Sequence, residues 1–191
     1  FKAGALKEGL KKAKGDFIAI FDADFLPSKN WLREVIPHFN TPQVGVIQTR
    51  WGHINRNYSV FTWAQSLALD IHFRLEQMGR GLQNQFINFN GTAGIWRKSC
   101  IEDAGNWDGE TLTEDLDLSY RAQLKNWKIL YLEDIKCPAE LPVMLSGIRS
   151  QQFRWNKGGA ENIKKHIKKL NLTVFISDYY THLTLKTKRK V

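Results

Sequence analysis

Apolar residues recur along the first part of the chain in two alternating patterns, one typical of helices and one typical of buried strands. Apolar side chains three and four residues apart, with lysines between them, predict an amphipathic helix over residues 3–14. The continuous apolar run over residues 17–21 predicts a strand buried on both faces, as in a parallel sheet. A short helix is then predicted over residues 31–39 and a second strand over residues 44–48. This alternation indicates an α/β fold.

The rest of the chain continues the alternation. Apolar residues at helical spacing predict a long helix over residues 60–78, which two nearby glycines end. Short apolar pieces mixed with asparagine and glycine predict a strand and a loop over residues 86–97. Threonines and carboxylates that suit a helix start predict another helix over residues 111–127, followed by a strand over residues 129–132. From residue 145 onward the pattern is helical and basic.

Composition indicates one globular domain. The 191 residues are 42% hydrophobic, and glycine and proline together number only 19, which excludes a disordered or collagen-like chain. No apolar run reaches the roughly 18 residues that a membrane-spanning helix needs. Cys100 and Cys137 do not have the spacing of a zinc site or a redox pair, so we expect two buried thiols in a reducing compartment.

The positive charge lies entirely at one end of the chain. Residues 1–140 hold 17 basic and 17 acidic side chains, whereas residues 141–191 hold 11 and 2. Such a tail predicts an anionic partner, either nucleic acid or a membrane surface, and a solvated basic helix is the alternative. Because aromatic residues are not interleaved with the basic ones as base-stacking platforms, we expect no nucleic-acid binding. Ile163, Ile167 and Leu170 form an apolar stripe among lysines, as interfacial helices do.

Two carboxylates, Asp22 and Asp24, directly follow the first predicted strand. Ligands of open α/β sheets bind beyond the carboxyl ends of the strands. Two carboxylates one residue apart can share a divalent cation with phosphate oxygens. The pair therefore predicts a metal and diphosphate site, with a turn or a helix cap as the alternative reading.

A second acidic group, Thr113-Glu114-Asp115 with Asp117, stands at the start of a predicted helix. Clustered carboxylates raise one another's pKa, which would suit a base near neutral pH, whereas the helix dipole lowers it. The sign of the net shift stays open from the sequence. A solvated helix cap is the alternative.

The third motif is the segment Gln151 to Trp155. On a helix, Gln151, Arg154 and Trp155 share one face and present an amide, a guanidinium and an indole together. Arginine can bind phosphate through two hydrogen bonds, and tryptophan offers a flat surface to a sugar or a base. The alternative places Trp155 in the core and Arg154 in solvent.

Together and in this order, the motifs resemble those of the processive family 2 glycosyltransferases, the group that contains cellulose, chitin and mannan synthases. The family pattern is Lys-Ala-Gly, Asp-x-Asp, Thr-Glu-Asp and Gln-x-x-Arg-Trp, which stand here at residues 2–4, 22–24, 113–115 and 151–155. The resemblance extends from residue 1 to about residue 160. The segments from Gln48 to Trp51 and from Gln151 to Trp155 look more like the cellulose-synthase-like glucomannan synthase branch than like cellulose synthase itself.

This resemblance implies a nucleotide-diphospho-sugar transferase (GT-A) fold with a mostly parallel sheet and helices on both faces. Residues 1–160 would be a partial catalytic domain, because the family's base-binding strands would precede Lys2. Residues 161–191 would form basic amphipathic helices at the membrane interface, and the natural protein would continue into a transmembrane helix after Val191. The enzyme would be membrane-associated, with its active site facing the cytoplasm.

By the same resemblance, the enzyme would move a sugar from a nucleoside-diphosphate sugar, such as UDP-glucose or GDP-mannose, to a growing β-glycan with inversion of the anomeric centre. Asp115 would be the catalytic base, supported by Glu114. Asp22 and Asp24 would bind Mg²⁺ or Mn²⁺. The residues expected to bind the donor diphosphate are Lys2, Asp22, Gln151 and Arg154, and those expected to bind the acceptor are Phe89, Asn90, Gly91, Thr92 and Trp155.

Two other functions stay open from the sequence. One is transfer of a single sugar to a lipid acceptor, as in ceramide glucosyltransferase, whose Arg-Trp motif is similar. The other, of a different class, is a non-catalytic scaffold at the membrane surface. No residue distinguishes glucose from mannose.

Overall fold

A four-stranded sheet with the strand order β1-β3-β2-β4 forms the centre of the fold. The computed structural model of the chain describes residues 2–167. The strands are β1 (Phe17–Ile20), β2 (Val44–His53), β3 (Gly94–Arg97) and β4 (Lys128–Ala139). The helices are α1 (Lys2–Lys12), α2 (Trp31–Val35), α3 (Val60–Ile71), α4 (Met78–Leu82), α5 (Lys98–Asp103), α6 (Glu114–Leu124) and α7 (Leu145–His166). A 3₁₀ turn (Ile36–His38) follows α2, and a π-helical segment (His72–Gln77) joins α3 to α4.

The expected α/β class is confirmed. Strand β2 pairs with β4 in parallel, and β3 is antiparallel to both β1 and β2. Three of the four strands therefore point in one direction, as the expected mostly parallel sheet requires, but two of the three pairings are antiparallel. The apolar pattern missed this reversal because it reports burial and carries no information on strand direction.

Both faces of the sheet are covered. Because side chains alternate along a strand, Val46 of β2 and Trp96 of β3 face α1, α5 and α6, whereas Ile47 and Ile95 face α2. Trp31 of α2 is 1% exposed and packs in the second cluster. The two-sided burial explains why the strands appear as apolar runs in the sequence.

The paired strands β2 and β4 are longer than predicted. Their parallel register runs from Val44 opposite Lys128 to His53 opposite Ala139. Polar residues in the second half of each strand concealed these extensions. The sequence also gave no indication of α5, since six residues are too few to establish a helical period.

The long helix predicted over residues 60–78 is interrupted by the π-helical segment. Its start at Val60 is fixed by a capping box, in which the Ser59 side chain accepts a hydrogen bond from Thr62 N and Thr62 Oγ1 accepts one from Ser59 N. Apolar spacing of three and four residues does not distinguish an α-helix from a π segment. The interruption therefore could not be foreseen.

Helix α7 continues through the predicted domain boundary after residue 160. Asn162 and His166 are buried against the domain, Ile163 is half-buried and Ile167 is exposed. The predicted interfacial segment otherwise lies outside the described residues, as does Leu170. Within residues 2–167, none of the helices combines the length and the apolar character that crossing a bilayer requires.

The two cysteines are free and buried, as predicted. Burial raises the pKa of Cys100 to about 12 and that of Cys137 to about 11. Both thiols are therefore protonated at neutral pH and serve as small apolar side chains.

Candidate active site

The antiparallel pairing of β1 with β3 brings the Asp-x-Asp segment beside the loop that precedes β3. Ile20 lies opposite Gly94, so the residues after β1 meet the residues before β3. The backbone N–H of Asp22 donates a hydrogen bond to Thr92 Oγ1 at 2.8 Å. Lys2, in the first turn of α1, donates from Nζ to Asp22 Oδ1 at 2.6 Å and to the carbonyl oxygen of Gly91 at 2.9 Å. Three separate motifs thus meet at one edge of the sheet.

A cavity of about 630 Å³ opens at this edge. Ten of the twelve predicted site residues line it, and the exceptions are Phe89 and Thr92. Phe89 is 2% exposed and packs edge-on against Trp96 in the core. Thr92 is buried, and its hydroxyl is bound to Asp22 N. Both side chains are therefore turned into the protein and support the loop, and the expectation that this loop binds the acceptor stays a prediction.

Gly91 and Asp115 are in close contact across the cavity. An ideal Cβ placed on Gly91 would lie 2.8 Å from Asp115 Oδ2. Gly91 also has a φ of +79°, which disfavours every other residue type. Ser119 links the same two segments, since its hydroxyl donates to the Asp115 carbonyl at 2.7 Å and accepts from Phe89 N at 3.1 Å. The Asp115 carboxylate is thereby held against the loop that contains Gly91.

The environment of Asp115 resolves the shift that the sequence left open. Burial, followed by the charge of Glu114, raises the pKa of Asp115 to about 7. Hydrogen bonds from the backbone N–H groups of Leu116 and Asp115 and the charge of Lys2 act in the opposite direction but do not prevail. A carboxyl group with this pKa can accept a proton near neutral pH.

The carboxylates of Asp22 and Asp24 both line the cavity. Asp22 uses Oδ1 to bind Lys2. In the part of the chain that the structure describes, the exposed Asp24 side chain has no hydrogen-bond or ion-pair partner. Likewise, residues 2–167 contain no cluster of three or more His, Cys, Asp or Glu side chains arranged as a metal site. Two carboxylates at a cavity wall fit the chemistry of Mg²⁺ or Mn²⁺, which proteins often hold through one or two carboxylates together with substrate phosphates.

Helix α7 presents Gln151, Arg154 and Trp155 to the cavity, as their spacing predicts. Arg154 is exposed, and among residues 2–167 it forms no ion pair with a carboxylate. Trp155 is half-buried, and its ring centre lies 6.4 Å from that of Trp51, which in turn lies 5.2 Å from that of Phe25. The lining of the cavity thus includes aromatic as well as charged side chains.

A tight joint connects the start of α6 to α7. Asn162 Nδ2 donates to Thr113 Oγ1 at 2.8 Å and to the Thr113 carbonyl at 3.1 Å. Gly158, one turn earlier, packs directly against the Thr113 side chain. The joint fixes the Thr-Glu-Asp motif relative to the Gln-x-x-Arg-Trp motif. Thr113 therefore has a structural role in its motif.

A buried ion cluster strengthens the same contact. Asp117 Oδ1 lies 2.7 Å from His166 Nε2 and 3.1 Å from Lys165 Nζ, and Oδ2 lies 2.8 Å from Arg121 Nη2. Burial tends to raise the pKa of Asp117, but the hydrogen bond with His166 and the charge of Arg121 outweigh it and hold the pKa at about 2. Lys165 also pairs with Asp108 at 2.8 Å. Asp117 therefore stays ionised and binds α7 to the domain.

Sequence reasoning missed the side chains that hold the loop before β3. Gln123 bonds both backbone groups of Ile87, and Gln77 does the same for Asn88. Gln48 is fully buried, accepts from Asn90 N at 2.8 Å and donates to carbonyls of residues 92 and 93. A loop this buried must satisfy its backbone polar groups, and side-chain amides do so here in place of a neighbouring strand. The available signal was Gln48 at the end of an apolar run, whereas the sequence around Gln77 and Gln123 does not distinguish them from exposed residues.

The fold agrees with that of solved glycosyltransferases. The chain is similar to the mannosyltransferase PcManGT from Pyrobaculum calidifontis in complex with GDP-Man and Mn²⁺, with a TM-score of 0.75, 17% identity, and coverage of 96% of this chain and 50% of that chain. It is also similar to S. aureus TarS 1-349 in complex with UDP-GlcNAc, with a TM-score of 0.61, 14% identity, and coverage of 95% and 55%. The expected GT-A fold is confirmed.

Sequence comparison defines the family. The description "Glycosyltransferase like family 2" matches residues 2–158, and the chain belongs to this family. It is 44% identical to the probable glucomannan 4-beta-mannosyltransferase 4 of Oryza sativa subsp. japonica and to the glucomannan 4-beta-mannosyltransferase 9 of Arabidopsis thaliana. Each alignment covers 86% of this chain but only 31% and 32% of the respective relative. The chain thus spans about a third of the length of these relatives.

Proposed function

We propose that the chain carries the catalytic centre of an inverting glycosyltransferase that moves a sugar from a nucleoside-diphosphate sugar to a growing β-glycan. The observation that carries the proposal is the single cavity that contains Asp115, with a pKa of about 7, together with Asp22, Asp24 and Arg154. Direct displacement at an anomeric carbon needs a base for the acceptor hydroxyl and positive charge for the departing diphosphate. This cavity supplies the base and a guanidinium within one site.

Asp115 is the catalytic base in this proposal. Its carboxylate removes the proton from the acceptor hydroxyl as the new glycosidic bond forms. Glu114 raises the proton affinity of Asp115 through its charge and is a supporting residue. Contact with Gly91 leaves Asp115 little freedom to move away from the reacting atoms.

The donor diphosphate binds among the charged side chains that line the cavity. Arg154 and Lys2 provide positive charge, and Gln151 provides an amide donor on the same helical face as Arg154. Asp22 and Asp24 would hold Mg²⁺ or Mn²⁺, and the bound ion would supply Lewis-acid stabilisation of the leaving diphosphate. The structurally similar PcManGT is in complex with GDP-Man and Mn²⁺, which agrees with this metal chemistry.

The acceptor binds beside the aromatic side chains, where Trp155 lines the cavity next to Trp51. Aromatic faces pack well against sugar rings. The loop residue that contacts the acceptor is Gly91 through its backbone, because the Asn90 amide is engaged with the π-helical segment. The names of the plant relatives support a β-linked glucomannan as the product. The complex of PcManGT with GDP-Man makes GDP-mannose the first donor to test.

A donor screen on the complete protein tests the proposal. GDP-mannose, UDP-glucose and UDP-N-acetylglucosamine are supplied with Mn²⁺ or Mg²⁺, and nucleoside diphosphate release and product length are measured. We expect polymer from one hexose donor. Products that carry a single sugar on lipid would favour the ceramide glucosyltransferase-like alternative. Absence of turnover with every donor and acceptor would favour a non-catalytic scaffold.

We further propose that the complete protein is membrane-associated, with this cavity facing the cytoplasm. Support comes from the sequence, in which residues 141–191 hold 11 basic and 2 acidic side chains. Basic segments beside apolar stripes bind the anionic cytoplasmic leaflet. By the resemblance of the chain to the processive family 2 enzymes, the donor is expected in the cytoplasm, which supports the same side for the active site.

A further inference from the structure

The π-helical segment contributes two side chains to the loop that carries Asn90. We infer that His72 and Gln77 are positioning residues of the proposed transferase, that together they fix the Asn90 amide, and that His72 acts as the neutral imidazole protonated at Nδ1. The inference rests on the proposed function for its kinetic consequence. Its structural content rests on the hydrogen bonds alone.

The π segment explains how both side chains reach the same loop. In an α-helix with 3.6 residues per turn, positions five apart point about 140° away from each other. A π turn closes its hydrogen bonds between residues five apart and brings such positions onto one face. His72 and Gln77, the first and last residues of the segment, therefore both face Asn90.

Backbone groups determine the orientation of the Gln77 amide. Gln77 Nε2 lies 2.7 Å from the carbonyl oxygen of Asn88, which can only accept. Gln77 Oε1 lies 3.3 Å from the Asn88 N–H, which can only donate. The opposite orientation of the amide would lose both bonds.

The orientation of the Gln77 amide determines that of the Asn90 amide, which in turn determines the tautomer of His72. Gln77 Nε2 also donates to Asn90 Oδ1 at 2.9 Å, which leaves Asn90 Nδ2 facing His72 Nε2 at 3.0 Å. Since Nδ2 is a donor, His72 Nε2 must accept, and the ring proton must reside on Nδ1.

Glu76 accepts the hydrogen bond that the protonated Nδ1 of His72 donates. His72 Nδ1 lies 2.8 Å from Glu76 Oε2, and Glu76 Oε1 accepts from Arg80 Nη2 at 2.8 Å. Arg80 is 3% exposed and also contacts the carbonyl oxygen of Phe86 at the start of the loop. Glu76 thus accepts hydrogen bonds from both His72 and Arg80.

The hydrogen bonds from His72 and Gln77 hold Asn90, which lies next to the proposed reacting groups. Asn90 precedes Gly91, whose carbonyl accepts from Lys2 and whose Cα faces the Asp115 carboxylate. A shift of Asn90 would move Gly91, which contacts Asp115 and, in the proposed function, the acceptor. Small displacements of this kind reduce the rate of group transfer strongly while ligand binding persists.

A matched set of variants in the complete protein tests the kinetic consequence. Gln77→Glu keeps the shape but removes both donated bonds, and we expect kcat to fall at least about tenfold with the donor KM changed less than about threefold. Gln83→Glu makes the same chemical change at an exposed position nearby and should leave kcat unchanged. His72→Gln keeps an acceptor near the Nε2 position and should retain most of the activity. His72→Asn reaches only the Nδ1 position and should lose as much as Gln77→Glu.

Equal activity of the two His72 variants would overturn the positioning role of His72 and Gln77. A folded Gln77→Glu protein with wild-type kcat would do the same. Circular dichroism and the melting temperature of each variant are measured, and a loss of activity that merely follows the loss of folded protein also overturns the positioning role.

The ¹⁵N spectrum of histidine-labelled protein tests the tautomer without any turnover. The His72 signals, assigned by their disappearance in His72→Gln, should show a protonated Nδ1 and an unprotonated Nε2 at neutral pH. Asn90→Asp replaces the donor that faces Nε2 by an acceptor and should place a proton on Nε2. An imidazolium or an Nε2-protonated ring in the wild type would overturn the inference. Because this readout needs no substrate, failure of the proposed transferase function would leave it interpretable.

Discussion

Gly158 and Thr113 pack so closely that no side chain fits between them. An ideal Cβ on Gly158 would lie 2.5 Å from Thr113 Cγ2 and 2.6 Å from Thr113 Oγ1. Thr113 is short and β-branched, so it cannot swing aside as the end of a long side chain could. Since Asn162 bonds the same threonine, the mutual position of α6 and α7 depends on a hydrogen atom at residue 158. The relative placement of Asp115 and Arg154 depends on it in turn.

We predict that Gly158→Ala destabilises the protein and lowers its activity. Overpacking at a rigid contact costs about 1–3 kcal/mol, which exceeds the gain of up to about 1 kcal/mol from replacing a helical glycine. The neighbouring Gly159 has open space around its Cα, so Gly159→Ala should instead raise the melting temperature slightly. Thermal unfolding and kcat of both variants provide the measurement. Equal stability of the two variants would show that the contact between Gly158 and Thr113 can accommodate a side chain.

Asp115→Asn tests the catalytic base. The variant should reduce kcat by a factor on the order of 10² or more, because an amide cannot take the acceptor proton. Donor affinity should survive, since the charged groups assigned to the diphosphate are other residues. Turnover and donor binding by calorimetry are measured on the complete protein. Weakened donor binding with unchanged turnover would assign Asp115 to the donor site.

Much of the site could be predicted because its chemistry lies in short local motifs. Asp22 and Asp24 follow an apolar run, and Gln151, Arg154 and Trp155 share a face at helical spacing, so local periodicity was sufficient to locate them. All five of these residues line the same cavity, in agreement with the positions that the patterns predict.

What the sequence could not show depends on contacts between distant residues. Phe89 and Thr92 belong to a loop motif, but whether a loop side chain faces substrate or core is decided by packing, here against Trp96 and the backbone of Asp22. The direction of the pKa shift of Asp115 was equally inaccessible, because burial, the largest cause, is a property of the folded state.

Asp24→Ala should abolish metal-dependent transfer while the fold persists. Asp24 is exposed and makes no hydrogen bond or ion pair within residues 2–167, so its removal takes away a potential ligand and no packing. Transfer by the complete protein is measured against Mn²⁺ concentration, together with its melting temperature. A variant that still turns over donor in excess chelator would show that the metal assignment is wrong.

Residues 161–191 should bind anionic membranes. Each lysine near an anionic leaflet contributes roughly 1 kcal/mol, and salt weakens this attraction. Lys165 is already paired with Asp108 and Asp117, so the lysines farther along the chain are expected to dominate. The 191-residue chain is sedimented with anionic and with neutral liposomes at low and at high salt. Recovery in the supernatant that is equal for all four conditions would contradict the membrane proposal.

The pH dependence of transfer should report Asp115 directly. The base must be ionised, so the rate should rise with pH through about 7. Glu114→Gln removes a charge that raises this pKa, and the rising limb should therefore move to lower pH, although burial still keeps it above the usual aspartate range near 4. Buffer-independent pH profiles of kcat for the wild type and Glu114→Gln are compared. An unmoved limb, or one displaced upward, would exclude Asp115 as the titrating base.

The same pKa has a consequence for stability that does not require turnover. Because the folded-state pKa of Asp115 is raised above the unfolded value, its contribution to stability is fully present below about pH 4 and is lost as the pH rises through about 7. Asp115→Asn carries a permanently neutral group, so its melting temperature relative to the wild type should increase between pH 5 and pH 8. A relative melting temperature that stays constant over this interval would mean that Asp115 ionises equally well in the folded and unfolded chains, and the proton affinity required of the base would then be absent.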